Sequence, residues 1–376
     1  ITKENMKNIM KMAFVLIASL SLVSSASAGE VSVTGTAEAT YMISSSDSAT
    51  GQSEQGKSIG IANEIAFTGT GELDNGWSWK WQTEMDPDAA GATQSDDSRL
   101  EITTGYGTIG IYNTEGNLNT HLKHSAAAYA PGQDFGSTGR YQGGVGMNSY
   151  NNIQYHTPSG LLPYGIMFKA GVSPSADKIE ANDAANAGTS THNLDSVESY
   201  QITAAPIDGL AVGASYLDRK GDNTDSLTRP SYETGGVFAK YATGPVTVGF
   251  GRNWIEPGTD GANGTLATTT EAVSSTGVVD ANVKHFENTQ MSIAFNLNDD
   301  LSISYDKMES TAEARTVVAN TRADTDTSRD LTIDTIQLAY SMGGMTVAVS
   351  QKDVDGINYI KAKASKETML SVKMAF

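Results

Sequence analysis

The chain has 376 residues, contains no cysteine and carries a formal net charge of −18. The acidic balance argues against nucleic-acid binding, which needs a basic face, and the lack of cysteine excludes disulfides and thiolate metal sites. Hydrophobic residues make up 39% of the chain, a fraction that is low for a large packed core and fits a protein with a wet interior.

The first 28 residues have the form of a secretory signal peptide. A basic stretch precedes an apolar run over Met12–Val23, and Ala26-Ser27-Ala28 then supplies the small residues of a cleavage site. The apolar run is too short to cross a bilayer as a helix. We therefore predict a cleaved signal peptide over 1–28 and an exported domain over 29–376, with an N-terminal membrane anchor as the alternative.

Apolar and polar residues alternate in short segments from residue 31 to the C-terminus. Val31, Val33 and Tyr41 share one parity, whereas Thr34 and Glu38 share the other. This period of two is typical of a strand with one apolar and one polar face. The same alternation returns in segments 59–67, 77–82, 164–169, 291–297 and 301–306.

The connections between these segments are alternately tight and long. The tight ones hold the Gly, Asn, Asp and Pro residues of turns, and they lie at 74–76, 106–107, 158–162, 206–209, 243–244, 298–300 and 342–344. The long polar ones lie at 42–57, 86–98, 113–148, 173–196, 220–231, 256–285, 310–329 and 354–366. Seven turns and eight loops join about sixteen strands, so we predict an all-β fold, a transmembrane antiparallel up-and-down β-barrel. A soluble β-sandwich or β-propeller is the alternative, although neither sorts its connections in this way.

Aromatic residues lie near the predicted strand ends, where the interface girdles of a membrane barrel are found. They are Tyr41, Trp77, Tyr112, Tyr155, Tyr164, Tyr200, Tyr216, Tyr241, Tyr305 and Tyr340. The last segment also ends on an aromatic residue, since Leu370, Val372, Met374 and Phe376 share one face. A C-terminal Phe that closes an amphipathic strand resembles the outer-membrane protein signature, which implies that Phe376 is an assembly signal read by the barrel-assembly machinery.

Two segments, Leu100–Ile111 and Asn152–Leu161, carry a resemblance, which is to the general porin family of Gram-negative outer membranes. Leu100–Ile111 is similar to that family's fourth strand, tight turn and fifth strand, with Tyr106 where Phe is usual. Asn152–Leu161 is similar to its Asn-Ser-x-x-Tyr hairpin, with the closing Gly one position early. The resemblance implies a trimeric, sixteen-stranded pore in the cell outer membrane, in contact with lipid and lipopolysaccharide. It also implies that the long loop 113–148 is folded into the lumen and narrows it.

A sixteen-stranded barrel leaves an aqueous channel, whose selectivity depends on its width and on the charges that line it. Parity and the family's loop point to pore-constriction candidates, which are Glu115, Asp134 and Arg140 on the loop and Glu38, Glu64, Lys80, Arg99 and Glu101 on the wall. In the family, an acidic loop faces a basic wall. The wall of this chain is mixed and its basic residues are sparse, so we expect a weaker field across the pore. The overall negative charge then predicts a mild cation preference. Each candidate has a plain solvated residue as its alternative.

Acidic stretches in the long loops could hold Ca²⁺ through carboxylates. The candidates are Asp86, Asp88, Asp96, Asp97, Asp324 and Asp326. None of them has the spacing of an EF-hand, and solvated acidic loops are the favoured alternative. Apart from this Ca²⁺ possibility, no metal or other cofactor is expected.

No nucleophile motif of the form Gly-x-Ser-x-Gly and no His-Glu-x-x-His motif occurs in the sequence. We therefore predict a non-enzymatic pore for the passive diffusion of small hydrophilic solutes and ions. The alternatives are a porin selective for one nutrient, an adhesive or structural surface barrel and, less favoured, a barrel hydrolase.

Overall fold

The period-two segments form one continuous antiparallel sheet in a computed structural model of the chain. Residues 29–47, 53–87, 93–131, 146–174, 194–221, 232–256, 273–274, 277–278, 283–318, 321–359 and 363–376 are described by the structure. The predicted signal peptide therefore lies outside the described residues. Among the described residues, no helix is both long and apolar enough to span a membrane.

Sixteen strands close into a barrel, as the sequence predicted. They are β1 Glu30–Asp47, β2 Ser53–Glu72, β3 Ser78–Pro87, β4 Thr93–Thr104, β5 Gly107–Asn113, β6 Asn152–His156, β7 Met167–Ser173, β8 Leu194–Ala204, β9 Leu210–Gly221, β10 Tyr232–Thr243, β11 Val246–Glu256, β14 Val283–Asn296, β15 Leu301–Val318, β16 Thr321–Met342, β17 Met345–Asp355 and β18 Ala364–Ala375. Two short strands, β12 Val273–Ser274 and β13 Gly277–Val278, form a separate two-stranded sheet. Single 3₁₀ turns cover Met147–Ser149, Pro163–Gly165 and Ile357–Tyr359.

The barrel closes where the first and last strands pair. Thr36 lies opposite Ala375, and the ladder continues to Ser46 opposite Ser365. Phe376 extends the seam, because its backbone exchanges hydrogen bonds of 2.9 and 3.0 Å with Gly35. A Cβ atom on Gly35 would lie 2.6 Å from the Phe376 ring, so the ring lies directly over this glycine on the outer face.

The outer face of the barrel is apolar around its circumference, as a lipid-facing surface requires. Its exposed members include Tyr41, Ile61, Trp81, Leu100, Ile111, Tyr155, Ile202, Val237, Phe250, Met291, Ile303, Leu338, Val349 and Leu370. One predicted girdle residue departs from this pattern. Tyr112 points into the lumen, where it is 2% exposed, because it shares the parity of Arg99 and Glu101 across the β4–β5 ladder.

Three predicted loops are largely strand. The loop predicted at 42–57 is occupied by β1 up to Asp47 and by β2 from Ser53, the loop predicted at 86–98 by the ends of β3 and β4, and the loop predicted at 310–329 by the ends of β15 and β16. These stretches are polar on both faces, so the alternation disappears although the backbone ladder continues. The hairpins therefore project beyond the apolar band.

Candidate functional site

The loop that follows β5 begins at a network centred on Arg99. This residue of β4 donates to Glu115 through Nη1 and to Gln82 on β3 through Nη2, each at 2.6 Å. Its Nε lies 4.0 Å from Glu101, which also accepts a 2.7 Å hydrogen bond from Tyr112 on β5. Because Arg99 lies between two carboxylates, its charge is compensated locally, and it fixes the first residues of the loop to the wall.

From this network the loop, residues 114–131, follows the inner wall instead of crossing free space. Amide side chains of β6 and β8 donate to successive loop carbonyls. These hydrogen bonds join Asn152 to Glu115, Gln154 to Gly116 and Gln201 to Leu118. Thr120 then bonds the Ser215 hydroxyl at 3.0 Å and the Gly236 carbonyl at 3.3 Å, so the loop stays on the wall across β9 and β10.

The second half of the loop is held in the same way by β14, β15 and β16. The amides of Ala126 and Ala128 donate to Ser292 and Ser304, at 2.9 and 2.7 Å. Gln337 accepts from the next two backbone amides and donates back to the carbonyl of Ala130 at 2.6 Å. These partners are uncharged, so the loop is attached mainly through side chain to backbone hydrogen bonds.

The far end of the described loop reaches the β1–β18 seam. The Tyr129 hydroxyl lies 2.7 Å from the Ser371 hydroxyl, which donates to Glu38 at 2.7 Å. The described loop therefore spans from β5 to the seam along the β6–β18 wall. The described loop leaves most of the β1–β4 wall uncovered, and this wall carries Glu38, Glu64, Lys80, Arg99 and Glu101.

Beyond the loop, towards the end of the barrel with the long connections, the inner wall of β8–β17 becomes apolar. Its strand residues form a buried cluster with Met147 and Tyr150 and with Ile357 and Tyr359 from the β17–β18 connection. The Tyr359 ring lies 5.5 Å from the Phe286 ring. The strand members are Val197, Leu217, Tyr232, Ile255, Phe286, Met308, Ala312, Leu331, Ile333 and Val354. Sequence reasoning missed this cluster because it assigned inward positions to polar residues.

Burial changes the ionisation of the loop. It raises the pKa of Glu115, with the neighbouring Arg99 acting in the opposite direction. It also lowers the pKa of His121 and of His124 to about 4 each. His124 is fully buried, and its Nδ1 lies 2.7 Å from the His121 carbonyl. Since a carbonyl only accepts, Nδ1 carries the proton of this neutral ring.

The structure brings most of the predicted constriction residues to one side of the lumen. Glu115 and Arg99 are in contact, Glu101 is close to both, and Lys80 lies opposite Glu101 in the β3–β4 ladder. Glu38 on β1 accepts a hydrogen bond from Ser371 on β18, and Glu64 is exposed on β2. Asp134 and Arg140 lie outside the described residues, and the constriction role of the whole set stays a prediction.

The calcium role of the aspartate candidates stays a prediction. Within the described ranges of the structure, no three side chains of His, Asp or Glu come together in a way that could hold a metal ion. Asp86 and Asp97 lie on β3 and β4, and Asp88 falls outside those ranges. Asp96 is on β4, and Asp324 and Asp326 are on β16 rather than in the predicted loop.

The family model for Gram-negative porins matches residues 13–376. The chain belongs to the Gram-negative porin family. Its place is therefore the outer membrane, where the closed sixteen-stranded barrel forms a channel-type fold. No curated protein matches this porin.

Solved structures of low sequence identity share the porin's fold. A loop L8 deletion mutant of OmpT, an outer membrane protein of Vibrio cholerae, is 13% identical, and the match covers 93% of this chain and 100% of that one with a TM-score of 0.61. An anion-selective porin from Comamonas acidovorans is 9% identical with the same coverages and a TM-score of 0.59. Salmonella typhi OmpF in complex with daunomycin is 14% identical, with coverages of 93% and 98% and a TM-score of 0.60.

Proposed function

We propose that this porin is a passive diffusion channel for small hydrophilic solutes and ions, with a weak cation preference. The position of the loop carries the proposal. The described part of the loop is attached along the β6–β18 wall, and this supports a passage beside β1–β4. Solutes that follow this route meet the side chains of one wall and the exposed side of the loop.

The charges along this route support a weak preference for cations. Arg99 is compensated by Glu115 and Glu101, whereas Glu64 is exposed on the neighbouring strand β2. Lys80 supplies a positive charge to the same wall. A modest excess of carboxylates raises the local concentration of cations, and salt screens part of this effect.

A planar-bilayer experiment tests both parts of the proposal. Purified porin is expected to give stepwise conductance, with a reversal potential of the cation-selective sign in a KCl gradient. Glu64→Lys should shift that potential towards anions, whereas Asp299→Lys, an exposed change in the β14–β15 connection, should not. Absence of conductance contradicts the channel, and anion selectivity of the unaltered porin contradicts only the preference.

Passive diffusion also requires low specificity and no chemical turnover. Permeation of neutral sugars should fall smoothly with their size, and ester and lipid substrates should remain intact. Saturation by one nutrient would instead identify a selective porin, and turnover would identify a hydrolase. The solute panel therefore separates these functions, which share the same barrel.

A homotrimer embedded in lipopolysaccharide is the assembly that we propose for the channel. A trimer form of OmpT from Vibrio cholerae is among the similar structures. On the outer face of β1 and β2, Val31, Ile59 and Ile61 are 68%, 84% and 71% exposed in the single chain. Chemical cross-linking in outer-membrane vesicles should give bands of one, two and three subunits and none larger. A monomer band alone would contradict the trimer.

A further inference from the structure

The middle of the loop lies unusually close to the backbone of β11. A Cβ atom on Gly249 would lie 1.8 Å from the His124 carbonyl oxygen and 2.8 Å from its carbonyl carbon. Real Cβ atoms essentially never approach within 3.0 Å of such atoms. The loop backbone therefore occupies the space that any side chain at Gly249 would need.

Hydrogen bonds on both sides of this glycine hold the loop in place. Lys240 on β10 and Ser292 on β14 lie directly opposite Gly249 in the two neighbouring ladders. Lys240 donates to the Ser125 carbonyl at 2.7 Å, and Ser292 accepts from the Ala126 amide at 2.9 Å. We call Lys240, Gly249 and Ser292 together the seat of the loop. Gly249 leaves the space that the loop backbone occupies, and Lys240 and Ser292 bind the loop on either side of it.

A second glycine on the same strand supports the seat. A Cβ atom on Gly251 would lie 2.8 Å from the His124 Nδ1 atom and 3.3 Å from the side-chain oxygen of Gln290. The imidazole is fully buried, so it has no solvent-filled space into which it can retreat. The backbone of residue 124 meets Gly249, and its ring meets Gly251.

We propose that Gly249 is a specificity-determining position that sets the width of the passage. This inference rests on the proposed channel function. A side chain at Gly249 would push residues 124–126 away from the wall and towards β1–β4, because the barrel wall behind it is a continuous hydrogen-bonded sheet. Ordinary van der Waals contact begins at about 3.4 Å, so the carbonyl would have to move by more than an ångström.

A graded substitution series tests the position. Gly249→Ala should reduce single-channel conductance, and Gly249→Val should reduce it further, because valine adds more volume than alanine. The permeation ratio of a large to a small sugar should also fall, and this ratio does not depend on the number of inserted channels. Valine favours strands, so the series does not oppose the local backbone conformation.

Gly60→Val is the matched control on the opposite wall. Gly60 shares the lumen-facing parity of Glu64 on β2, and its nearest contact would be the Thr40 hydroxyl at 3.1 Å, which a side-chain rotation relieves. Gly60→Val adds the same volume to the wall without touching the described part of the loop. A sugar ratio that falls as much in this control as in Gly249→Val would overturn the seat.

Disulfide formation can be measured without ion flow, so it tests the seat independently of the channel function. The Thr120 and Ser215 hydroxyls lie 3.0 Å apart, and the chain has no other cysteine, so Thr120→Cys with Ser215→Cys should oxidise to a disulfide. Adding Gly249→Val should lower the disulfide yield, whereas Gly60→Val should not. Unchanged yield and unchanged sugar ratio in folded Gly249→Val would reject the seat. If the unaltered porin does not conduct but the yields differ as expected, only the channel function fails.

Discussion

The two sides of this barrel use their inward-facing residues differently. On β1–β4, Glu38, Glu64 and Glu101 are at least partly exposed, whereas on β8–β17 most of the inward residues are buried. Both sides have the same alternating backbone. The difference arises from what covers these residues, because the apolar cluster and most of the described part of the loop lie against β8–β17. An inward-facing residue therefore lines the pore only where no other segment of the chain covers it.

The largest expected effect distinguishes the two sides by stability. Leu331→Ala removes a fully buried side chain from the apolar cluster and should lower the free energy of unfolding by about 2–5 kcal/mol. Glu64→Ala, on the uncovered side, should change it by less than about 0.5 kcal/mol. Urea unfolding in lipid vesicles measures both. Equal losses would show that the covered and uncovered sides do not differ as described.

Arg99 provides the next test, because it joins the uncovered wall to the start of the loop. Arg99→Gln leaves Glu115 and Glu101 without their shared cation, so cation preference in a salt gradient should increase. The lost charged hydrogen bonds should also cost about 1.5–3 kcal/mol in unfolding free energy. Lys80→Gln removes one positive charge from the adjacent strand and should increase the preference with little loss of stability. A similar loss of stability in both variants would contradict the anchoring role of Arg99.

Tyr129→Phe tests the far attachment of the loop at the seam. It removes the hydroxyl that meets Ser371 while keeping the ring, and Ser371 still donates to Glu38. Loss of one such hydrogen bond costs about 1 kcal/mol, so the loop should detach more often and current noise should increase. Tyr155→Phe removes a hydroxyl from the outer face and serves as the control. Current noise in Tyr129→Phe equal to that of the unaltered porin would indicate that the seam contact does not hold the loop.

The smallest expected effect is a dependence of loop attachment on pH. Because burial lowers the pKa of His121 and His124 from 6.5 to about 4, a displaced and hydrated loop binds more protons than the seated loop between these values. Attachment should be strongest above pH 6.5 and should weaken as the pH falls towards 4. The current noise recorded at each pH measures this trend, as it does for Tyr129→Phe.

Replacing both histidines with Asn keeps a hydrogen-bonding side chain without a group that titrates in this range. The pH trend should then flatten. Glu115→Gln controls for the raised pKa of that carboxyl. An unchanged slope in the double Asn variant would assign the dependence to other groups.

The backbone of this porin was largely predictable from its sequence, and the arrangement inside the lumen was not. Alternation and turn residues act over a few positions, so they determined the strand count and the tight turns around Asn75 and Gly244. The paths of Tyr129 and His124 depend on partners more than a hundred residues away. Gln337 and Gly249 looked like ordinary wall residues, because their role appears only when the loop lies over them. Polar strand ends, such as residues 44–47 of β1 and 53–57 of β2, were predicted as loops because both of their faces are hydrophilic.

The seam between β1 and β18 has a consequence for biogenesis. Thr36 and Ala375 lie opposite each other although more than 300 residues separate them along the chain. Until β18 is delivered, β1 presents an unpaired edge that another chain could join. Pairing at such a long sequence separation is slow, because the loop-closure entropy must be overcome first. Pairing of β1 with β18 is therefore a late step of folding. Chains in which this pairing has not yet formed must be kept from pairing with one another.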